Sequence, residues 1–214
     1  MFSRRFDRLS QRERARLGIF GGTFDPIHLG HLVCAEQVAE KLGLDGVVFL
    51  PAYQPVFKLG RSIVDARHRL ALCELATEGN PLFDVSGLEI DRGGPTYTVD
   101  TLSEVRSLLS DSVELFFITG MDALKMLPLW RDTERLARLA TFVTATRPGY
   151  EENPLEINDL RKQGFAIETV PVTGIDVSSS DIRTMLAEGR SVRYLVPEAV
   201  LTYIHEHHLY EGDD

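Results

Sequence analysis

The chain is poor in cysteine and tryptophan, has no excess of positive charge, and lacks any long apolar run. Its two cysteines, Cys34 and Cys73, do not make a disulfide framework, and both fall in helical patterns as small apolar fillers. No segment approaches the ~20 consecutive apolar residues that a membrane-spanning helix needs. Lysine and arginine total 23 against 32 aspartate and glutamate, for a net charge of -9. The broad basic field of a non-specific nucleic-acid binder is therefore missing, and only a local pocket for a small anion remains. What is present is a 43% hydrophobic chain of 214 residues, enough for one domain with a real core.

Charge is unevenly placed. Arg4, Arg5, Arg8, Arg12, Arg14 and Arg16 crowd the first sixteen residues, with no hydrophobic segment behind them. This reads as a solvated, flexible basic extension (1–16) rather than a secretory signal. A single domain over 17–209 and a flexible acidic tail over 210–214 follow, and a cytoplasmic location fits best.

Short apolar runs alternate with helical spacing. Strands are expected at Leu17–Phe20, Val47–Leu50, Leu82–Val85, Leu88–Ile90, Leu115–Ile118, Thr141–Ala145 and Ala166–Val170. Helices are expected at Leu32–Leu42, Arg67–Ala76, Val99–Leu109, Leu136–Leu139, Leu155–Gln163 and Ser179–Ala187, with a last one running from Pro197 through Tyr203. This alternation predicts an α/β domain whose mainly parallel sheet has helices on both faces, with Leu115–Ile118 central. The intervals 51–63 and 147–154 read as the mobile loops.

Gly18-Ile-Phe-Gly-Gly-Thr-Phe-Asp-Pro-Ile-His-Leu-Gly-His31 carries the most information. A strand runs into a helix through a glycine pair, a proline and two histidines. It is neither GxGxxG nor GxxxxGK[ST]. Gly21 and Gly22 still let backbone approach a ligand, Thr23 offers a hydroxyl, and a helix N-terminus offers free amides to an anion. His28 and His31 lie one turn apart, so both rings can face one cleft. Either alone reads more readily as a hydrogen-bonded helix cap or a surface residue, and the glycines around them shift that balance. No third ligand stands at diagnostic spacing, so no protein-held metal is expected.

Far along the chain, Val177-Ser-Ser-Ser-Asp-Ile-Arg183 offers a second capped helix start, with an arginine one turn in that can fork onto phosphate. In a doubly wound sheet two such elements can meet at one crevice. Between them lie Arg92-Gly-Gly-Pro-Thr-Tyr-Thr-Val-Asp-Thr-Leu102, Ile118-Thr-Gly-Met-Asp-Ala-Leu124, Leu127-Pro-Leu-Trp130 and Arg147-Pro-Gly149. Each reads as a turn entering a helix, with Thr98 near a cap. Their extra possibilities are free amides at Tyr97 and Thr98 and a flat face on Trp130.

The HxGH element resembles that of the nucleotidyltransferase superfamily, and the extended GGTFDPIHLGH resembles bacterial nicotinate-nucleotide adenylyltransferases. The later segments resemble that family's RxGPSYTxDTL, IGxDAL, LPxW, RPG and ISSTxIR motifs, in the same order. The resemblance implies a Rossmann-like fold and transfer of AMP from ATP to nicotinate mononucleotide, with Mg²⁺ carried mainly on the ATP phosphates. Gly21, Gly22, Thr23, Phe24, His28, His31, Ser179, Ser180 and Arg183 would bind ATP, and His28, His31 and Arg183 would be catalytic. Asp25, Lys58, Tyr97, Thr98, Asp122 and Trp130 would hold the acceptor. Neither a nucleic-acid polymer nor a membrane is implied as partner, and a homo-oligomer stays open. Ser180 stands where threonine is usual, and Thr96 where serine is. Leu50-Pro-Ala-Tyr-Gln-Pro-Val-Phe-Lys58 departs further from LPxxxPPHK: Val56 replaces a proline and Phe57 a histidine. Phe57 cannot donate a hydrogen bond, which leaves Arg61 or Arg67 as substitute cations. Nicotinamide mononucleotide as acceptor, or a nucleotide-binding regulator without activity, are the other readings.

Overall fold

The computed structural model describes residues 14–58, 60, 62–146 and 154–212, the side chains of 58 and 154–156 excepted. Its centre is a six-stranded sheet in which every neighbouring pair is parallel. The strands are β1 (Ala15–Gly22), β2 (Gly46–Pro51), β4 (Phe83–Val85), β6 (Val113–Thr119), β7 (Thr141–Thr146) and β8 (Ile167–Pro171), in the order β4-β2-β1-β6-β7-β8. Counting sheet strands alone along the chain, that order is 3-2-1-4-5-6, the doubly wound arrangement with its reversal between β1 and β6. A separate parallel pair joins β3 (Gln54–Pro55) to β5 (Pro95–Thr96).

Alternation along the strands builds two cores. Leu17 and Ile19 of β1, Val48 and Leu50 of β2, and Leu115 and Phe117 of β6 fill one face. Phe20, Val47, Phe49, Phe116 and Ile118 fill the other. A sheet buried on both faces needs apolar side chains at every position, which is why these strands are continuous hydrophobic runs. Helices α1 (Leu29–Leu42), α2 (Ala66–Thr77), α8 (Ser179–Ala187) and α9 (Glu198–Glu206) contribute to the second core. Helices α4 (Thr98–Ser107), α5 (Met121–Lys125), α6 (Thr133–Leu136) and α7 (Pro154–Lys162) cover the first.

Several expectations need correction. Leu88–Ile90 is not a strand but the start of helix α3, Leu88–Arg92. The Ser86 hydroxyl accepts from the Leu88 amide, and Asp91 N donates to Gly87 O, closing a turn that three-residue alternation hides. The helix expected at Leu136–Leu139 stands earlier because Asp132, at φ 51°, caps it by accepting from Arg135 N. At the ends, Ala15 and Arg16 are paired within β1 rather than in a loose extension, and Arg16 stacks 4.6 Å over the Phe116 ring. Tyr210 is held rather than frayed: its hydroxyl donates to Asp25 Oδ1 at 2.9 Å. Within 51–63, β3 and a 3-10 turn over Val56–Lys58 are ordered elements. Arg61 and Arg147-Pro-Gly149 lie outside the described residues.

Arg69 of α2 ties the loops together. It is 1% exposed and donates from Nη1 to Thr23 O at 2.7 Å, from Nε to Val64 O at 2.8 Å and from Nη2 to Tyr53 O at 3.1 Å. Burial pulls its pKa down, and the nearby Asp25 charge opposes that. A guanidinium stays protonated in such a site because its unperturbed pKa is so high. The loop after β1 and the loop after β2 thus share one donor. Arg69→Met leaves three carbonyls without that donor and removes one of the two positive charges near Asp25, and should cost about 3 kcal/mol or more. Urea denaturation measures this, and a loss below about 1 kcal/mol would show that the loops hold without Arg69.

Candidate active site

Ligands of doubly wound folds bind beyond the carboxyl ends of the strands at the reversal point. Here that point lies between Gly21-Gly22 at the end of β1 and Thr119 at the end of β6. A cavity of about 540 Å³ opens there. Gly21, Gly22, Thr23, Phe117 and Thr119 form its base, Thr96–Val99 and Trp130 its walls, and Val56 and Phe57 its rim.

Beside it stands the start of α1. His28 is the residue capping the helix, in extended backbone at φ -146° and 5% exposed. Its amide donates to His31 Nδ1 at 3.2 Å. With Nδ1 accepting, the neutral ring of His31 carries its proton on Nε2. The two imidazoles stack with centroids 3.7 Å apart, and Phe24 meets His31 edge-on at 5.1 Å. Gly30 allows this packing: a Cβ there would stand 3.0 Å from His28 Nδ1 and 3.1 Å from Val177. The glycine of the HxGH element therefore lets α1 press against the segment that leads into α8.

That segment is the second motif. Ser178 caps α8, accepting from Asp181 N at 3.1 Å. Ser179 Oγ donates to Pro26 O at 2.9 Å. Arg183 donates from Nη1 to Asp25 O at 2.7 Å and from Nη2 to Ser180 Oγ at 3.2 Å. The two helix N-termini read from opposite ends of the chain thus meet across the Asp25–Pro26 turn.

The candidate residues divide accordingly. Gly21, Gly22 and Thr23 line the cavity and lead to the histidine pair, while His28, His31, Ser179, Ser180 and Arg183 gather around the turn. Phe24 is a core residue, 2% exposed, at φ 49°. Its ring fills the space that a Cβ on Gly22 would need, at 2.8 Å. Asp25 is equally buried: its carboxylate takes Tyr210 and the Val64 amide and stands 3.7 Å from Arg183. Tyr97, Thr98 and Trp130 line the cavity as a group. Asp122 is exposed in the first turn of α5 and is not among the lining residues. The Lys58 side chain lies outside the described ones. Arg67 is exposed, with its amide capped by Asp65.

Residues that motif spacing did not single out complete the site. Arg131 lies 4.8 Å over the Tyr97 ring, 3.4 Å from Asp100, and lines the cavity. Its adjacency to Trp130 was the available signal. Glu89 also lines the cavity and is treated below. Phe57, 56% exposed, faces Trp130 across 6.5 Å.

The cytidylyltransferase-like family model matches residues 19–185. Proteins named probable nicotinate-nucleotide adenylyltransferase match nearly the whole chain. The one from Thermoanaerobacter sp. is 46% identical over 202 residues, spanning 93% of this chain and 96% of its own. Those from Streptomyces coelicolor and Thermus thermophilus are each 50% identical, covering 90% and 91% of this chain and 100% and 99% of their own. The chain belongs to the nicotinate-nucleotide adenylyltransferase family. Its fold is also that of the Plasmodium falciparum nicotinic acid mononucleotide adenylyltransferase complexed with NaAD, at TM-score 0.76 and 17% identity, over 94% of this chain and 99% of that one.

Tyr210 is the family-independent part of this geometry that can be checked directly. Burial and the Asp25 carboxylate hold its hydroxyl far above the ordinary phenol range, so it remains a donor. Tyr210→Phe removes the 2.9 Å bond to a buried carboxylate and should cost about 1–3 kcal/mol. Thermal unfolding of the variant reads this out, and an unchanged midpoint would mean that Asp25 is held by its other partners alone.

Proposed function

We propose that the protein transfers AMP from ATP to nicotinate mononucleotide, forming nicotinate adenine dinucleotide and pyrophosphate. The observation that carries this reading is the meeting of two helix N-termini at the Asp25–Pro26 turn, beside a cavity lined by Tyr97, Thr98 and Trp130. An oxygen of the acceptor's phosphate attacks the α-phosphorus of ATP. The bond from that phosphorus to the bridging oxygen breaks, and pyrophosphate leaves with the electron pair. No protein nucleophile is needed. The protein aligns the two phosphates and offers donors where negative charge grows.

His31 supplies an Nε2–H donor fixed by the bond at its Nδ1. The amides at the start of α1 and α8 and the Arg183 guanidinium complete an electropositive rim for the triphosphate. In the acceptor cavity, the amides at Tyr97 and Thr98 suit the nicotinate carboxylate, and Trp130 presents a face to the pyridine ring. Among the described residues no cluster of three His, Cys, Asp or Glu side chains could hold a metal ion. A divalent cation, Mg²⁺ in this reading, would come bound to ATP and would supply charge neutralisation for the leaving group, with no protein cluster needed to hold it. Among the described residues no helix is long and apolar enough to cross a membrane, and the reading includes a cytoplasmic location.

Initial rates with nicotinate and nicotinamide mononucleotides at matched concentrations test the assignment. The acid should be preferred by about tenfold or more, equivalent to about 1.4 kcal/mol. Equal rates or preference for the amide would overturn the acceptor assignment, and saturable nucleotide binding without product would overturn the activity.

Trp130 packs edge-on to Phe117 at 6.1 Å and lines the cavity. Trp130→Ala should raise the acceptor KM about 2- to 12-fold, the equivalent of the ~0.5–1.5 kcal/mol of stacking beyond area burial, and leave ATP binding unchanged. Trp130→Phe should lose less. Equal weakening for both ligands, with a lower unfolding midpoint, would mark Trp130 as packing alone.

A further inference from the structure

Glu89 is a buried acid that the reaction above leaves unused. It sits in α3, is 5% exposed, and lines the same cavity as Tyr97, Thr98 and Trp130. Its Oε1 accepts from Thr101 Oγ1 at 2.7 Å. The Thr101 oxygen itself accepts from Arg92 Nη2 at 2.8 Å, so the threonine proton is committed to Glu89. Oε2 is also buried and makes no hydrogen bond of ordinary geometry among the described residues. With one oxygen pinned to Thr101 and the carboxyl buried, water does not reach the other. Leaving such an oxygen bare is costly unless the carboxyl is neutral or a ligand arrives.

The surroundings are mixed. On its own helix Arg92 faces the carboxyl, with Glu104 of α4 pairing Arg92 at 2.8 Å. Thr101 of α4 and the Thr96 hydroxyl of β5 approach it as hydrogen-bonding groups, and Arg69 of α2 contributes positive charge from farther away. Arg131 and Tyr97 stand on the same cavity wall. Burial outweighs all of these and pushes the carboxyl up to about 7, against the partial opposition of Thr101, Arg92, Thr96 and Arg69.

We propose that Glu89 determines which charge the acceptor cavity admits: protonated, it is neutral and tolerates an anionic ring substituent, and ionised, it repels one. This rests on the reading that the cavity takes the pyridine ring of a nicotinate nucleotide. The sign follows directly. The anionic acceptor binds the protonated form better, so its binding takes up a proton and weakens as pH rises through about 7. A neutral amide on the same ring feels no such change. The group acts as a specificity determinant and not as a catalyst, because nothing in the phosphoryl transfer passes through it.

The test is the pH dependence of KM for both mononucleotides, from about pH 6 to about pH 8.5, in the wild type and in Glu89→Gln. Both acceptors carry the same phosphate, so its own ionisation cancels in the ratio of the two KM values. In the wild type the acid-to-amide KM ratio should climb above neutrality, by at most about tenfold per pH unit for one proton. Glutamine still accepts from Thr101 but is neutral at every pH, so Glu89→Gln should flatten the ratio. Thr101→Val, of similar shape, removes a bond that favours the ionised form and should move the climb to higher pH. This variant carries the test if Glu89→Gln does not fold. An identical ratio-against-pH curve in the wild type and in either folded variant overturns the role of Glu89 while leaving the adenylyl transfer intact. Failure to use either mononucleotide overturns both this role and the functional reading beneath it.

Discussion

The site depends on the grip of Arg183 and Ser179 on the backbone of Asp25 and Pro26. These bonds join residues 158 and 153 positions apart in sequence. They act on carbonyls, so they fix the path of the chain rather than a side chain that could rotate away. The path matters because His28 follows two residues later and must present extended backbone to start α1. From the other side, Arg69 holds Thr23 O, and from below, Tyr210 holds the Asp25 carboxylate. A turn carrying this many charge-assisted or buried bonds fixes the two helix starts relative to each other. That is the kind of preorganisation on which electrostatic stabilisation of a transferring phosphoryl group relies.

An overall charge of -9 is a poor start for a polyanion site. Local arrangement resolves this. The anion-facing elements are helix N-termini and glycine-lined backbone, which provide partial positive charge without lysine or arginine. The full charges that are present, Arg69 and Arg183, are partly engaged by Asp25. Such engagement lowers their net field but fixes their geometry. Exposed acids elsewhere influence the site weakly, since a Debye length of about 8 Å screens them at physiological salt.

The parallel sheet was legible because burial on both faces forces apolar runs, and the runs at β1, β2, β6 and β7 are long enough to stand out. Leu88–Ile90 misled because three alternating residues fit a strand as well as one helical turn, and only the Ser86 and Gly87 contacts separate them. The two phosphate-side motifs were legible as capped helix starts, and a doubly wound sheet allowed them to meet at one crevice. The bonds that join them were not legible, since they use backbone acceptors that every residue possesses. Phe24 and Asp25 show the converse. Lying within a recognisable motif, they invite a ligand role, yet one fills the core under the histidines and the other anchors the turn. Glu89 and Tyr210 escaped notice for a simpler reason. An acid in an amphipathic stretch and a tyrosine near a chain end look like surface residues until the fold closes water away from them.

Phe57 illustrates how a departure from a family pattern becomes interpretable once its neighbours are known. An imidazole at this position would bring a donor and, in its protonated form, a charge. A phenyl ring brings neither. What it does bring is apolar area at the cavity rim, tilted 34° to Trp130 with the two centroids 6.5 Å apart. Val56 beside it, in place of proline, also lines the cavity, so both substitutions act on the same edge. In the proposed reading, recognition then falls to other groups lining the cavity: the Tyr97 and Thr98 amides at the start of α4, Arg131 over the Tyr97 ring, and the buried carboxyl of Glu89. Apolar rings bordering a pocket lower the local dielectric, and there the charge of each remaining polar group counts for more.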